Sequence, residues 1–210
     1  MTQVLISGLQ IKSRTKRVED VRVNLGPDSY GETKWSGGCT ACGKWHGAIA
    51  QRLERSNVIC ETDFYREWRR KMWERSLLDA VFTLLGAVRS EPTTVAEVAK
   101  YYGDEVSDLL WEMSQLLRGW KAITLMYGFE ERLFGFAETR GEGEPCTLPT
   151  DMYPYIWGNF VYLQSKSFVE YLQYAQFEKG LLPGVVLPER KDEEYKTKMR
   201  QGNLRADGVI

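Results

Sequence analysis

The feature that most constrains the fold is a run of regularly spaced apolar residues that begins after Asp63. Their spacings of three, four and seven place them on one face of a helix. The run consists of Phe64, Trp68, Met72, Leu77, Leu78, Val81, Phe82, Leu85 and Val88. Ser90-Glu91-Pro92 ends it, because the residue before a proline is turned away from the helical conformation. The chain is therefore expected to be mainly α.

Two more helices are predicted after this break. Thr94 and Glu97 have the spacing of a capping box, and Gly103 ends the short helix that they begin. A longer helix follows over about residues 104–120. Its apolar face is formed by Val106, Leu109, Leu110, Met113, Leu116 and Leu117. Residues 123–136 then indicate strand, turn and strand.

The order of elements over residues 76–138 resembles the winged-helix superfamily. The residues that carry the resemblance are Thr94 to Gly103, Val106 to Trp120 and Ile123 to Phe136. The resemblance implies a third helix that enters the DNA major groove in the members that read DNA. Here that helix carries Asp104, Glu105, Asp108 and Glu112. Carboxylates repel phosphates, so we expect the helix to be buried or to face protein. An ordinary helical bundle with a hairpin is the alternative.

A second signal is Cys39-Thr40-Ala41-Cys42-Gly43, within the Gly-rich residues 26–62. Two thiolates at this spacing bind one ion only if the backbone turns tightly, and Gly43 permits such a turn. The stretch resembles the knuckle of zinc ribbons and treble-clef fingers. We expect a structural zinc held by Cys39, Cys42, His46 and Cys60, with Cys146 as a replacement for His46 or Cys60. Buried thiols with a surface His, or a redox Cys-x-x-Cys, are the alternatives.

Basic residues cluster in two places. Residues 3–25 indicate a β-hairpin, and the first cluster lies at its tip. The second cluster lies on the helix that follows Asp63. The two clusters comprise Lys12, Arg14, Lys16 and Arg17, and then Arg66, Arg69, Arg70, Lys71 and Arg75. Cations interleaved with Trp68 and Trp73 suit single-stranded nucleic acid, where rings stack on bases. The alternative is a solvated helix face whose Trp residues point inward. Helical spacing puts Phe64, Trp68 and Met72 on one stripe, so Trp68 is expected in the core.

The pattern predicts four segments. They are an N-terminal hairpin and zinc module (1–62), a winged-helix-like domain (63–138), a linker with an aromatic helix over about 153–179 (139–188), and a polar, disordered tail (189–210). The fold class is thus mainly α with short β hairpins.

Composition excludes several classes of protein. The 210 residues have a net charge of −1, so nucleic-acid binding depends on local patches. No apolar run reaches the roughly 20 residues of a membrane span, and no secretory signal is visible. We therefore expect a cytoplasmic protein in a reducing compartment.

No nucleophile elbow, P-loop or dinucleotide motif is present, so an enzyme is not expected. The predicted function is that of a nucleic-acid-associated accessory or regulatory subunit of a nucleoprotein complex with structural zinc. An assembly or scaffold factor of a viral or multi-subunit complex, without nucleic-acid contact, is the alternative. Neither function involves a membrane or a small-molecule substrate.

Overall fold

The computed structural model describes residues 3–5, 9–11, 21–23, 39–55, 60–139 and 144–187. The strands are β1 Gln3–Leu5, β2 Leu9–Ile11, β3 Val21–Val23, β4 Cys39–Cys42 and β5 Cys60–Thr62. The helices are α1 His46–Glu54, α2 Tyr65–Leu77, a π-helical segment Leu78–Phe82, α3 Thr83–Ala87, α4 Val95–Tyr101, α5 Gly103–Lys121, α6 Phe129–Thr139, α7 Gly158–Val161 and α8 Lys166–Phe177. The mainly helical prediction is confirmed. The predicted tail 189–210 lies outside the described residues.

The chain divides into two compact units. Unit 1 comprises residues 1–75 and 125–139, and unit 2 comprises residues 76–124 and 140–210. The predicted boundaries after residues 62, 138 and 188 stay predictions.

Unit 1 contains a three-stranded sheet in the order β1–β4–β5. β1 pairs antiparallel with β4, and β4 pairs parallel with β5. Parallel neighbours need a crossover connection, and α1 supplies it between β4 and β5. The predicted N-terminal hairpin is confirmed for β2 and β3, which pair antiparallel with Leu9 opposite Val23. Residues 3–5, which were assigned to the same hairpin, pair with β4 instead.

The predicted strand–turn–strand over residues 123–136 is wrong. Phe129–Thr139 form helix α6, in which Leu133 and Phe136 are buried. Arg132 Nε and Nη2 donate to the two carboxylate oxygens of Glu74, both at 2.7 Å, and Arg132 Nη1 donates to Tyr127 O at 2.8 Å. Short aromatic runs fit either period, and this ion pair, made to a residue far away in the sequence, favours the helix. The hairpin that would correspond to the wing of a winged-helix domain is therefore not formed by residues 123–136.

The core of unit 2 consists of large apolar side chains from the π-helical segment and helices α3, α5, α7 and α8. Its fully buried members include Phe82, Leu84, Leu85, Leu109, Leu110, Met113, Leu117, Phe160 and Phe168. The predicted apolar face of α5 is confirmed at Val106, Leu109, Leu110, Met113 and Leu117, while Leu116 is half-buried. A π-helical turn changes the backbone hydrogen-bond pattern, and here Trp157 Nε1 donates to Ala80 O at 3.2 Å.

The predicted aromatic helix over 153–179 is interrupted. Turns occupy residues 150–157, α7 spans only Gly158–Val161, and Gln164 has a left-handed φ of 58°. Ser165 then begins α8, because its Oγ accepts a hydrogen bond from Phe168 N at 3.1 Å. An N-cap serine of this kind starts a new helix rather than continuing an old one. Within the described ranges, no helix is long and apolar enough to cross a membrane.

Candidate functional site

The Cys-x-x-Cys stretch forms strand β4 and not the tight turn expected between zinc ligands. All four of its residues are buried. Gly43 follows with a φ of 103°, a conformation that glycine adopts readily, and it opens the turn into α1. The tight turn expected between Cys39 and Cys42 therefore lies after Cys42, at Gly43.

Strand geometry separates the two thiols of this motif. Successive side chains of a strand point to opposite faces, so Cys39 and Cys42, three residues apart, lie on opposite faces of β4. Cys39 belongs to a buried cluster with Ala41, Ala50 and Cys60. Cys60 is the register partner of Cys39 in the parallel pair β4–β5. The structure thus brings Cys39 together with Cys60 and turns Cys42 away.

The four predicted zinc ligands do not fit a single ion in this arrangement. A tetrahedral site needs every donor within about 2.0–2.3 Å of the metal, which residues on opposite faces of one strand cannot satisfy. His46 begins α1, and its Nδ1 donates to Gly43 O. Cys146 belongs to unit 2, where it contacts Phe82 O. Across the described stretches, no group of three His, Cys, Asp or Glu side chains is placed to hold a metal ion. Zinc stays a prediction.

Burial sets the acidity of the two neighbouring thiols. Burial raises the pKa of Cys39 above its usual value. It also raises the pKa of Cys60 to about 11, with Cys39 and then Glu54, Asp63 and Glu61 adding to the rise. Both cysteines are therefore neutral thiols at neutral pH.

An open pocket of about 570 Å³ lies beside Cys60, between α1, β5 and α2. Cys60, Glu54, Glu61, Asp63 and Lys71 are among the residues that line it. The Lys71 ammonium lies 2.8 Å from Glu61 Oε2 and 2.9 Å from Asp63 Oδ2.

The assignment of Lys71 to a nucleic-acid surface is not supported. Lys71 is only 4% exposed, because its ammonium is buried beside Glu61 and Asp63. A cation that neutralises two carboxylates in its own unit does not reach a phosphate. We therefore remove Lys71 from the proposed surface.

The other basic residues of α2 differ in exposure. Arg66 is exposed, whereas Arg69, Arg70 and Arg75 are half-buried. The Arg75 guanidinium lies over the Phe136 ring, 5.8 Å from its centroid. The other predicted basic residues, Lys12, Arg14, Lys16 and Arg17, lie outside the described residues.

Two aromatic residues that sequence reasoning did not assign to a surface stand beside Arg66. Phe64, expected in the core, is 86% exposed, and Tyr65 is 61% exposed. Trp68 is buried as expected, and its ring stacks on Tyr65 at a centroid distance of 6.3 Å. Phe64 precedes helix α2, so the helical period that buries Trp68 does not apply to it. The position of Phe64 at the N-terminal end of the helix was the sequence signal that could have predicted its exposure.

The acidic residues of α5 have two different roles in unit 2. Glu105 is buried, where it accepts from Arg89 Nη2 and from Tyr171 OH, each at 2.8 Å. Asp104 and Asp108 are exposed. The expectation that this helix is buried or faces protein is therefore confirmed for Glu105, which is buried. For Asp104 and Asp108, which are exposed, a contact with protein stays a prediction.

Comparison with known proteins finds no match to any family model, any curated protein or any solved structure.

Proposed function

We propose that unit 1 binds single-stranded nucleic acid through the start of helix α2. The observation that supports this most directly is the exposure of Phe64 and Tyr65 next to Arg66. Two exposed rings beside a cation suit single-stranded nucleic acid, because nucleobases are flat and stack on such rings. Structural zinc is not part of the proposal, because the four predicted ligands do not fit a single ion in this arrangement.

Each side chain would have a separate task. The Phe64 ring offers a face for one base, and the Tyr65 ring, already held by Trp68, offers a second with little loss of side-chain freedom. Arg66, with Arg69 and Arg70 further along α2, would neutralise phosphates. Stacking of this kind tolerates any base, since every base has a π-face. The expected activity is therefore binding with little sequence specificity.

The first test is Phe64→Ala, with affinity for a fluorescent single-stranded oligonucleotide as the readout. Loss of one stacked base costs about 1–3 kcal/mol, or roughly 5–150-fold in Kd. Because Phe64 is so exposed, the substitution should leave the unfolding midpoint unchanged. Tyr155→Ala is the matched control, since Tyr155 is 73% exposed in unit 2.

The second test uses salt. Arg66→Gln removes one phosphate contact and should flatten the dependence of log K on log salt by about 0.7. Arg118→Gln, at an exposed position of α5 in unit 2, should leave the slope unchanged. Absence of any binding by the unaltered protein at low salt would remove the nucleic-acid proposal. Equal losses in Phe64→Ala and Tyr155→Ala would remove the assignment to α2.

A second candidate function, protein assembly, is favoured by one face of helix α5. Residues at positions 104, 108, 111, 115 and 118 form a single exposed stripe at alternating spacings of four and three. Trp111 lies at its centre and is 65% exposed. Exposed tryptophans are typical of protein interfaces. If nucleic-acid binding fails, Trp111→Ala should weaken association with a protein partner.

A further inference from the structure

Two thiols of unit 1 lie next to each other across neighbouring parallel strands and have no part in the proposed nucleic-acid surface. Cys39 and Cys60 are register partners, and register partners point to the same face of a sheet. They are buried in one cluster with Ala50 of helix α1. The two sulfurs are therefore side by side between the sheet and α1.

We infer that Cys39 and Cys60 form a redox-active dithiol that closes to a disulfide across β4 and β5. Neighbouring strands lie about 4.8 Å apart, and disulfides join Cα atoms separated by about 4.4–6.8 Å. Cys42 points to the opposite face of β4. The strand therefore disfavours the Cys39–Cys42 bond that a redox Cys-x-x-Cys motif forms, and it pairs Cys39 with a cysteine 21 positions away in the sequence.

The pocket of unit 1 gives a reagent access to one of the two thiols. Cys60 lines this pocket and is 4% exposed, whereas Cys39 is 0% exposed. A reagent therefore meets Cys60 first, and Cys39 acts as the second, resolving thiol.

The charges around the pocket select the class of reagent. Three carboxylates, from Glu54, Glu61 and Asp63, face one ammonium, that of Lys71. A pocket with excess negative charge raises the local concentration of cations and lowers that of anions. The oxidant that suits the site is therefore a small disulfide that carries amino groups.

The reaction balances with this oxidant alone. Only the small fraction of Cys60 that has lost its proton reacts; the sulfur of this thiolate attacks one sulfur of the small disulfide, which breaks that bond and expels one thiolate. The expelled thiolate takes up the proton, and Cys60 is left in a mixed disulfide. The Cys39 sulfur then attacks Cys60, expels the second small thiol and closes the protein disulfide. The protein loses two hydrogen atoms, and the reagent becomes two thiols.

The test compares two reagents of similar size on the full chain, the cationic disulfide cystamine and the anionic 3,3′-dithiodipropionate. After reaction, remaining thiols are alkylated and the peptides are identified by mass. We expect one linked pair, Cys39 with Cys60, that a reducing agent opens. It should form about tenfold faster with cystamine. Glu54→Gln, at an exposed position of α1, should reduce the ratio of the rate with cystamine to the rate with 3,3′-dithiodipropionate.

Matched cysteine variants locate the chemistry. Cys42→Ser and Cys146→Ser should leave the Cys39–Cys60 link intact, and Cys39→Ala should stop the reaction at a mixed disulfide on Cys60. The peptide map of the unaltered protein identifies the linked pair of cysteines even if a variant fails to fold. A Cys39–Cys42 link, a link to Cys146, or intact thiols after treatment with both reagents would overturn the inference. None of these outcomes depends on nucleic-acid binding.

Discussion

Gly86 occupies a contact in unit 2 that leaves no room for a side chain. A Cβ built at Gly86 would lie 2.5 Å from Cys146 Sγ, 2.7 Å from Cys146 Cβ and 3.0 Å from Val98 Cγ2. Gly86 lies inside helix α3 and is not among the glycines with positive φ. The glycine is therefore required for space and not for backbone freedom, and we expect Gly86→Ala to destabilise the protein.

Two opposing terms set the magnitude. Alanine in place of glycine within a helix gains about 1 kcal/mol, whereas overpacking a buried contact costs about 1–3 kcal/mol. Cys146 cannot move away freely, because its amide donates to Thr93 O at 2.8 Å. The difference between the two is a net loss of up to about 2 kcal/mol. Gly119→Ala is the control, since a Cβ at Gly119 in α5 meets nothing within 4 Å, and it should gain about 0.5–1 kcal/mol.

The assay is urea unfolding, with a shift in midpoint at constant slope taken as the change in stability. A double-mutant cycle then isolates the contact. In a Cys146→Gly background the atoms at 2.5 and 2.7 Å are gone, so most of the cost of Gly86→Ala should disappear. In a Cys146→Ala background the Cβ remains, and the relief should be smaller. If Gly86→Ala stabilises as Gly119→Ala does, or costs the same in both backgrounds, the reasoning is wrong.

Three more predictions concern separate features. Arg132→Met leaves the Glu74 carboxylate buried without its bidentate partner and should cost about 3–5 kcal/mol in urea unfolding; adding Glu74→Met should recover most of the loss. Thr94→Val removes the N-cap of α4 and should cost about 1 kcal/mol. Hydrogen bonds from the backbone and then the side chain of Thr94 lower the pKa of Glu97. The stability that Glu97 contributes is therefore complete above about pH 4.3 and is lost as the pH falls through the lowered pKa. Acid unfolding of Glu97→Gln should lack this loss. For zinc, the sequence predicts about one ion per chain by elemental analysis. A bound zinc that Cys39→Ser abolishes would identify Cys39 as one of its ligands, and unchanged metal content in that variant would remove the prediction.

The local part of the fold could be predicted from sequence alone. The capping box of α4 is present as expected, with Thr94 N donating to Glu97 Oε2 at 2.8 Å and Glu97 N donating to Thr94 Oγ1 at 3.2 Å. The burial of Trp68 and of Leu109 also followed from helical spacing. Each of these features depends on residues within a few positions of one another, so the order of side chains is sufficient to determine it.

Tertiary structure decided what depends on distant partners. Glu74 and Arg132 are 58 positions apart, and their ion pair accompanies a helix where the local pattern fitted a hairpin. The sequence around Lys71 predicted an exposed cation, but Lys71 is buried and paired with Glu61. The spacing of Cys39 and Cys42 indicated one shared ion, yet strand register pairs Cys39 with Cys60 instead. Sequence determined which residue types were available for chemistry, and strand pairing, which no local pattern encodes, decided which of them meet.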